Sequence, residues 1–519
     1  MTVRWSVLLL GTCFLLPAAP ALAAVSPDVV RDLASRVGPV IGQAATCPAI
    51  AQGRVQTIID QFGEVIRQAA STTTERDLLI RSFNSSIAEG RGRIASAQVN
   101  CQTAERQLSE LERSLSQQPS AAPTMSLTLA PSSAAAATQP TANLPPPLPH
   151  GVSDTEIRFG TVIPFSGVRK ESARQMKLGI ETAFNRVNDA GGINGRKLRL
   201  IAADDVYDPT RTLAAMTQLY EKDKVFGFIG NMGTANNAVA IPYALERRAL
   251  FFAPYSGSAV VRRDPPDRYV FNYRASYAEE TAAIVHYLMK VKRIPAKQIA
   301  VFAQNDAYGD DGANGVAKAF RALGITDPII RYGFPRGTLE VDDAVGKLKA
   351  QTKPPIKAVI MIATDRAAAK FIEKTHEAAP GLIYANISAV GSSSLAAELK
   401  LLGTKYTNGV IVTQGVPSVA GYSSLVLDYK NALDKYFPGE APDYTSLEGF
   451  ISASILIQAL KQTTPLDTER LVDTLESMKS IDLGLGSTLS FGRAEHQASH
   501  KIWGTALDET GTYQAIELE

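Results

Sequence analysis

The sequence has few of the residues that carry metal or redox chemistry. Its 519 residues include three cysteines, five histidines and two tryptophans. Two of the cysteines, Cys47 and Cys101, lie beyond the N-terminal apolar run, and two thiols are too few for a structural zinc site. His496 and His500 are four residues apart, but the glycine and serine around them suggest a loop rather than a helix. We therefore expect no metal and no cofactor.

A dominant charge and the common catalytic motifs are also missing. The 53 basic and 51 acidic residues leave a formal net charge of +2, which offers no electrostatic basis for binding nucleic acid. The sequence contains no Gly-x-Ser-x-Gly elbow, no Walker loop, no Gly-x-Gly-x-x-Gly and no His-Glu-x-x-His. We expect a protein that is not an enzyme and does not bind nucleic acid.

Long apolar stretches are scarce, and the clearest one is at the N-terminus. Arg4 precedes an apolar run over residues 7–16, and small residues that include Ala21 and Ala23 follow. This order predicts a cleavable signal peptide over residues 1–24, because the run is about half the roughly twenty residues that span a bilayer. Cys13 follows Thr12, which is a poor lipoprotein site. The sequence therefore predicts a periplasmic protein with no membrane-spanning segment after signal removal.

Residues 25–117 have the pattern of a helical hairpin. From Ile80 to Leu115 apolar or small residues recur at steps of three and four, as in a coiled coil, and a second stripe covers residues 55–69. Between the two stripes, Thr72 and Glu75 have the spacing of a capping box. We expect the chain to fold back at Thr72 into two antiparallel helices.

The two remaining cysteines fit the open end of this hairpin. Cys47 and Cys101 lie 25 and 29 residues from Thr72, so that folding back brings them to similar heights. In an oxidising compartment an isolated pair is most simply a disulfide. An intermolecular bond in a dimer is the alternative. Whether the hairpin binds a protein partner or dimerises is left open.

The chain changes character twice after the hairpin. Residues 118–150 are rich in Pro, Ala, Ser and Thr and predict a linker, because they cannot bury a core. Residues 151–519 alternate apolar strands with amphipathic helices, which predicts an α/β fold of two doubly wound parallel sheets, one in each of two lobes. Strands are expected near residues 157–163, 197–203, 225–230, 250–253, 299–304, 329–332, 358–362 and 410–413.

A series of motifs in this last segment points to a known family. Gly191 and Gly192 suit the end of a helix, and Asp208 before Pro209 suits the start of the next. The motifs lie at residues 185–198, 204–209, 228–231, 253–258, 274–277, 305–309, 490–492 and 503–504. In order and spacing they resemble the periplasmic leucine/isoleucine/valine-binding protein family, the type I substrate-binding proteins of ABC importers. The resemblance covers residue 154 to the C-terminus.

The resemblance implies a bilobal type I periplasmic-binding-protein fold. Three chain crossings would form the hinge, near residues 275, 414 and 485. The first lobe would then comprise about residues 154–275 and 414–485, and the second about residues 276–413 and 486–519. The helical hairpin and the linker lie outside the family pattern.

The family places its ligand between the lobes, and the resemblance implies which residues line that site. Hydroxyl and amide side chains near helix N-termini would bind a ligand carboxylate, although such side chains also cap helices. Tyrosines from the second lobe would cover the ligand. The candidates from the first lobe are Ser166, Thr234, Asn236, Ser256 and Ser258, and those from the second are Tyr277 and Tyr308.

One feature of the family's amino-acid binders is missing. They place an acidic side chain against the ligand ammonium, whereas the stretch around Ser392 reads Gly-Ser-Ser-Ser over residues 391–394. Glu279 and Asp365 are the candidate substitutes, and Ser392 itself is a further candidate for contacting the ligand. The ligand is accordingly expected to be a small polar solute, either an amino acid or a related carboxylate or amide.

The expected function is solute capture for an ABC importer. Two lobes would close over the solute and present a new surface to a membrane permease. The alternative is a sensor or a regulatory scaffold of the cell envelope with the same fold, which the extra hairpin and linker favour.

Overall fold

The computed structural model of the chain describes residues 27–69, several positions within 76–90, residues 100–116 and residues 148–518. The chain divides into two compact units, Met1–Pro140 and Thr141–Glu519. The expected signal peptide, the turn at Thr72 and nearly all of the linker lie outside the described residues.

The described part of the first unit is helical, as predicted. Its helices are α1 (Pro27–Thr46), α2 (Gln52–Ala69) and α3 (Cys101–Ser116). The first arm of the expected hairpin is divided in two, since Pro48 in the break lacks the N–H that would continue α1. The second arm begins a new helix after Asn100, whose Oδ1 accepts a hydrogen bond from the Thr103 amide at 2.9 Å.

The predicted disulfide is confirmed and is intramolecular. Cys47, directly after α1, is bonded to Cys101 at the start of α3, with their Cα atoms 5.5 Å apart. Nearby, Arg54 of α2 forms ion pairs with Glu105 and Glu112 of α3 at 2.7 and 2.6 Å. The three helices are thus joined by one covalent bond and by charge pairs.

The second unit contains two sheets, and the first is entirely parallel. Its strands are β1 (Glu156–Val162), β2 (Lys197–Ala203), β3 (Gly227–Ile229), β4 (Leu250–Phe252) and β5 (Val270–Phe271). They lie in the order β2-β1-β3-β4-β5. Phe159 of β1 is in register with Leu200 on one side and Gly227 on the other.

The second sheet is mixed. Its strands are β6 (Ile299–Asn305), β7 (Ile330–Pro335), β8 (Ala358–Ile362), β9 (Ile383–Asn386), β10 (Ile411–Gln414), β11 (Trp503–Leu507) and β12 (Tyr513–Ile516). The order is β12-β11-β10-β9-β8-β6-β7, and β11 and β12 are antiparallel. This hairpin departs from the purely parallel expectation, because the turn at Asp508 is too short for the crossover that parallel strands need.

Helices cover both faces of the sheets. They are α4 (Lys170–Asp189), α5 (Pro209–Thr217), α6 (Thr234–Glu246), α7 (Tyr277–His286), α8 (Ala307–Ala322), α9 (Asp342–Ala350), α10 (Asp365–His376), α11 (Ser392–Leu402), α12 (Ser424–Tyr436), α13 (Tyr444–Gln462) and α14 (Thr468–Ser477). Helices α4 and α13 approach closely, since a Cβ at Gly179 would lie 1.8 Å from the Ser446 carbonyl oxygen. Within the described part of the chain, no helix is long and apolar enough to cross a membrane.

We call the sheet β1–β5 with its helices the first lobe, and the sheet β6–β12 with its helices the second lobe. The chain crosses between them three times, and the crossings lie side by side. The Ala498 amide donates to Asn272 O at 2.8 Å, and the Ser499 amide donates to Tyr273 O at 3.0 Å. The Tyr273 hydroxyl donates to Gly415 O at 3.0 Å.

The third crossing lies later in the chain than the expected position near residue 485. Leu489, Phe491 and Ala498 are buried in the hydrophobic core of the first lobe. Residues 486–498 therefore belong to the first lobe and not to the second. Their packing against β4 and β5, for example Phe491 against Phe271 with ring centroids 5.3 Å apart, holds them there.

A buried ion pair lies beside the three crossings. Arg274, in the first crossing, donates through Nε and Nη2 to the two carboxylate oxygens of Glu448 in α13, both at 2.8 Å. The two side chains are 2% and 6% exposed. The guanidinium carbon lies 4.2 Å from the ring centroid of Tyr255. The pair thus connects the first crossing, a core helix and the loop after β4.

The disulfide gives a testable prediction. Replacing Cys47 and Cys101 with serine should lower the free energy of unfolding of the helical unit by about 4 kcal/mol, the chain-entropy value for cysteines separated by 54 residues. Circular dichroism melting of the full chain, with and without reductant, measures this. Residues 148–518 contain no cysteine, so their transition serves as the internal control. Identical helical melting in the variant would contradict the prediction.

Candidate functional site

The carboxyl ends of the strands in both lobes carry loops that face one another across a cleft. From the first lobe come the loops after β1, β2, β3 and β4, and from the second come those after β6, β7, β8 and β9. Ligands of open α/β sheets bind beyond this end of the strands. Hydrogen bonds cross the cleft, for example from the Tyr255 hydroxyl to Ser388 O at 3.4 Å.

Thr234 and Ser256 lie together at the N-terminus of α6. Their hydroxyl oxygens are 3.0 Å apart, and both residues are buried. Gly233, with φ of 99°, turns the chain into the helix. A Cβ at Gly233 would lie 2.9 Å from the Tyr207 ring, so glycine permits this close approach. Two hydroxyls thus lie beside the free amides of a helix N-terminus.

Asn236 and Ser258 contact the second lobe directly. The Asn236 side chain donates to Asp205 at 2.8 Å, and its Oδ1 accepts from Arg336 at 2.7 Å. The Ser258 hydroxyl donates to Asp311 of α8. Both side chains are therefore occupied by contacts between the lobes or within the protein.

Tyr277 and Tyr308 are brought together, and both are buried. Their ring centroids are 5.4 Å apart in an edge-to-face arrangement. The Tyr277 amide donates to Gly257 O at 2.7 Å, and the Tyr308 hydroxyl donates to Ala363 O at 3.3 Å. Burial raises the pKa of Tyr308 well above its ordinary value, which keeps the phenol neutral. The two rings form a rigid aromatic wall on the second lobe.

Asp365 is a buried acid that follows the carboxyl end of β8. It is the first residue of α10 and is 4% exposed, and its Oδ1 has no hydrogen-bond partner among the described residues. Burial raises the pKa of Asp365 to about 6, against the opposing charge of Arg169. A buried carboxylate with a free oxygen is suited to accept a hydrogen bond from a cation.

Two arginines that sequence reasoning did not single out also reach the cleft. Arg169, 4% exposed, donates from Nη1 to Val390 O of the second lobe at 3.2 Å. Arg336 of the second lobe donates to Tyr207 O at 2.6 Å, and its guanidinium carbon lies 3.9 Å from the Tyr207 ring centroid. Each follows the end of a strand, which is the one signal in the sequence that would have marked them.

The remaining candidates lie apart from this group. The Ser166 hydroxyl donates to Asp204 in the same lobe. Glu279 forms a capping box with Ser276 at the start of α7 and lies 2.6 Å from His500. The Ser392 hydroxyl donates to Gln414 at 3.0 Å. Of the two acids considered as substitutes, Asp365 is therefore the one whose charge acts on Arg169.

His496 and His500 contact different groups and do not form a pair. The His496 ring stacks on Phe271 with centroids 3.9 Å apart, whereas His500 lies beside Glu279. In the part of the chain that the structure describes, no three or more His, Cys, Asp or Glu side chains are grouped in a way that holds a metal ion.

The family comparison accounts for this architecture. The model of the family described as "Periplasmic binding protein" matches residues 156–512, which include the first sheet, the second sheet up to β11 and all three crossings. The chain belongs to the periplasmic binding protein family. This is a family of substrate-binding proteins that are generally not enzymes. The helices before residue 148 lie outside the match.

Relatives and solved structures of the family agree with the assignment. An amino acid binding protein of Pseudomonas aeruginosa is 23% identical over 329 residues, covering 63% of this chain and 84% of that protein. Leu/Ile/Val-binding protein homolog 7 of Brucella abortus is 24% identical, and the alignment covers 65% of this chain and 84% of that protein. A possible leucine/isoleucine/valine-binding protein from Rhodopirellula baltica is 33% identical in sequence. Its structure matches with a TM-score of 0.67 over 70% of this chain and 97% of that protein.

The raised pKa of Asp365 predicts a pH-dependent stability. The folded protein binds the carboxyl proton of Asp365 more tightly than the unfolded chain does, because an aspartate in the unfolded chain titrates near pH 4. Ionisation above pH 6 therefore costs stability, and the cost disappears below pH 4. Asp365→Asn should raise the free energy of unfolding at pH 7.5 by about 3 kcal/mol, the difference between a pKa near 4 and one near 6. At pH 4 it should change little.

Urea unfolding at the two pH values measures this effect. Asp434→Asn, which replaces an exposed aspartate of α12, is the matched control and should have no effect at either pH. If Asp365→Asn changed the free energy of unfolding equally at pH 4 and pH 7.5, the Asp365 carboxyl would not be titrating as described.

Proposed function

We propose that the chain is an exported solute-binding protein of an ABC importer, which captures a small amino acid or a related carboxylate. The observation that carries the proposal is the Thr234–Ser256 hydroxyl pair on one lobe and the Tyr277–Tyr308 pair on the other, joined by the hydrogen bond from the Tyr277 amide to O of Gly257, next to Ser256. Family membership and relatives named for amino acids support it. The expected signal peptide supports a periplasmic location.

The first lobe offers donors for a carboxylate. The N-terminus of α6 has no side-chain cap among the described residues, and its first amides and partial positive charge favour an anion. Thr234 and Ser256 add two hydroxyls beside it. We assign the solute's carboxylate to this position.

The second lobe offers an acceptor for a solute ammonium. Asp365 has a free Oδ1, and its neighbour across the cleft, Arg169, favours the ionised form. Asp365 would thus replace the acid that is missing at residues 391–394. Tyr277 and Tyr308 would cover the solute with their rings.

Closure of the lobes would complete the site. Arg336 and Asp311 of the second lobe contact Asn236 and Ser258 of the first, so that closing creates hydrogen bonds besides those to the solute. The three adjacent crossings form the hinge. The closed form would present a surface made by both lobes to a membrane permease.

A second candidate is a sensor or a scaffold of the cell envelope. The disulfide-closed helical unit favours it, because this unit lies outside the family match. This candidate predicts a protein partner for α1–α3.

The carboxylate assignment predicts a loss of affinity in a double variant. Thr234→Ala with Ser256→Ala should weaken binding about a hundred-fold, because each lost hydrogen bond to a charged group contributes about 1.5 kcal/mol. The refolded chain is screened by thermal shift against amino acids, small carboxylates and amides, and hits are titrated by calorimetry. A solute at a hundred times its Kd stabilises the fold by about 2.7 kcal/mol.

Thr217→Ala is the matched control, since its exposed hydroxyl donates to Leu213 O within α5. It should leave affinity unchanged. Unchanged affinity in the double variant would disprove the carboxylate assignment, and a panel without any stabilising solute would disprove solute capture.

The contacts between the lobes predict a separate effect on dissociation. Arg336→Ala removes hydrogen bonds to Tyr207 O and Asn236 that exist only when the lobes meet, and should raise the dissociation rate about ten-fold. Stopped-flow displacement measures this rate. Arg331→Ala, which removes an ion pair to Asp310 within the second lobe, is the control. Equal rates for the two variants would contradict the assignment.

A further inference from the structure

Arg169 has a hydrogen-bonding edge that the proposed function does not use. The residue ends a short turn after β1, is 4% exposed and donates from Nη1 to Val390 O at 3.2 Å. Among the described residues its Nε has no partner, and Nη2 makes no hydrogen bond. Nε and Nη2 lie on the same edge of the guanidinium plane, so a complete two-donor edge is free.

Several polar side chains act on the charge of Arg169. The groups that interact electrostatically with it include Tyr207, Tyr255, Tyr308 and Asp365. The Tyr207 hydroxyl accepts a hydrogen bond from Gln304 at 3.4 Å, which leaves its own proton available to an acceptor. A phenol donor and a guanidinium edge in one buried region suit an oxyanion.

Asp365 does not use the free edge of Arg169. Oδ1 of Asp365 and Nε of Arg169 both lack a hydrogen-bond partner among the described residues. The two charges act on each other without being joined by a hydrogen bond. A buried charge without a hydrogen-bonded partner is costly, and a two-oxygen anion matches the arginine edge.

We propose that Arg169 receives a second acidic group of the solute, so that the cleft selects acidic amino acids and related dicarboxylates over neutral aliphatic amino acids. The inference rests on the proposed solute-binding function. One carboxylate of the solute would bind Thr234, Ser256 and the N-terminus of α6. Its ammonium would bind Asp365. The free arginine edge then requires an additional anion, which a leucine-like solute does not carry.

The test compares acidic solutes with their neutral counterparts on the refolded full chain by calorimetry. The probes are aspartate, glutamate and glutarate, with asparagine, glutamine and leucine as the neutral set. At least one acidic probe should bind about thirty-fold or more tighter than every neutral one, because an unpaired buried charge costs about 2 kcal/mol or more. Arg169→Gln should reduce that preference to within a few-fold.

Arg174→Gln is the matched control. Arg174 lies on α4, one and a half turns further along the chain, and is 43% exposed in ion pairs with Glu171 and Glu440. The Arg174→Gln variant should leave the order of the solute affinities unchanged. If Arg169→Gln does not fold, Arg169→Lys keeps the charge without the two-donor edge and should still weaken the acidic probes about ten-fold.

The outcomes separate the two proposals. Leucine binding as tightly as the acidic probes, or an unchanged ranking in the folded Arg169 variant, would overturn the inference and leave solute capture intact. Binding of no probe and of no other small solute would overturn the proposed function, and the inference with it.

Discussion

The ion pair between Arg274 and Glu448 is the interaction on which the rest of the binding domain depends. It is almost completely buried and joins the first chain crossing to α13. Gly415 of the second crossing packs against Arg274, and the Tyr255 ring lies on its guanidinium. Loss of either partner would leave an uncompensated buried charge, at a cost of about 3–5 kcal/mol. The first crossing, helix α13 and the loop after β4 are therefore joined at this point, and the proposed closure of the lobes would pivot around it.

The cleft is built from groups that are expensive to bury. Arg169 and Asp365 are buried without a hydrogen bond between them, and two hydroxyls lie at a helix N-terminus. Burying such groups costs stability. In the proposed function a solute with matching charges would satisfy them, and this would provide the binding specificity. The periplasmic binding protein family supplies the scaffold, and in the proposed function these few side chains would decide which solute it holds.

Hydrophobic periodicity was sufficient to locate most strands of both sheets, because a parallel strand buried on both faces is a continuous apolar run. The position of the third crossing was not predictable in this way. Residues 486–498 belong to the first lobe through the packing of Phe491 on Phe271, a contact between distant segments. The same holds for Arg169, whose partner Val390 is 221 residues away. Family motifs and strand ends in the sequence marked the loops of Tyr277, Tyr308 and Asp365, whose role in binding stays a prediction, whereas Glu279 forms a helix cap.

The register of β11 places an intrinsic optical reporter at the hinge. Trp503 follows directly after the third crossing and is paired with Gln414, where the second crossing begins. The other tryptophan of the sequence, Trp5, belongs to the expected signal peptide. A mature chain would then carry a single indole, located where the lobes pivot. Its emission would follow opening and closing in real time, without a dye or an engineered label.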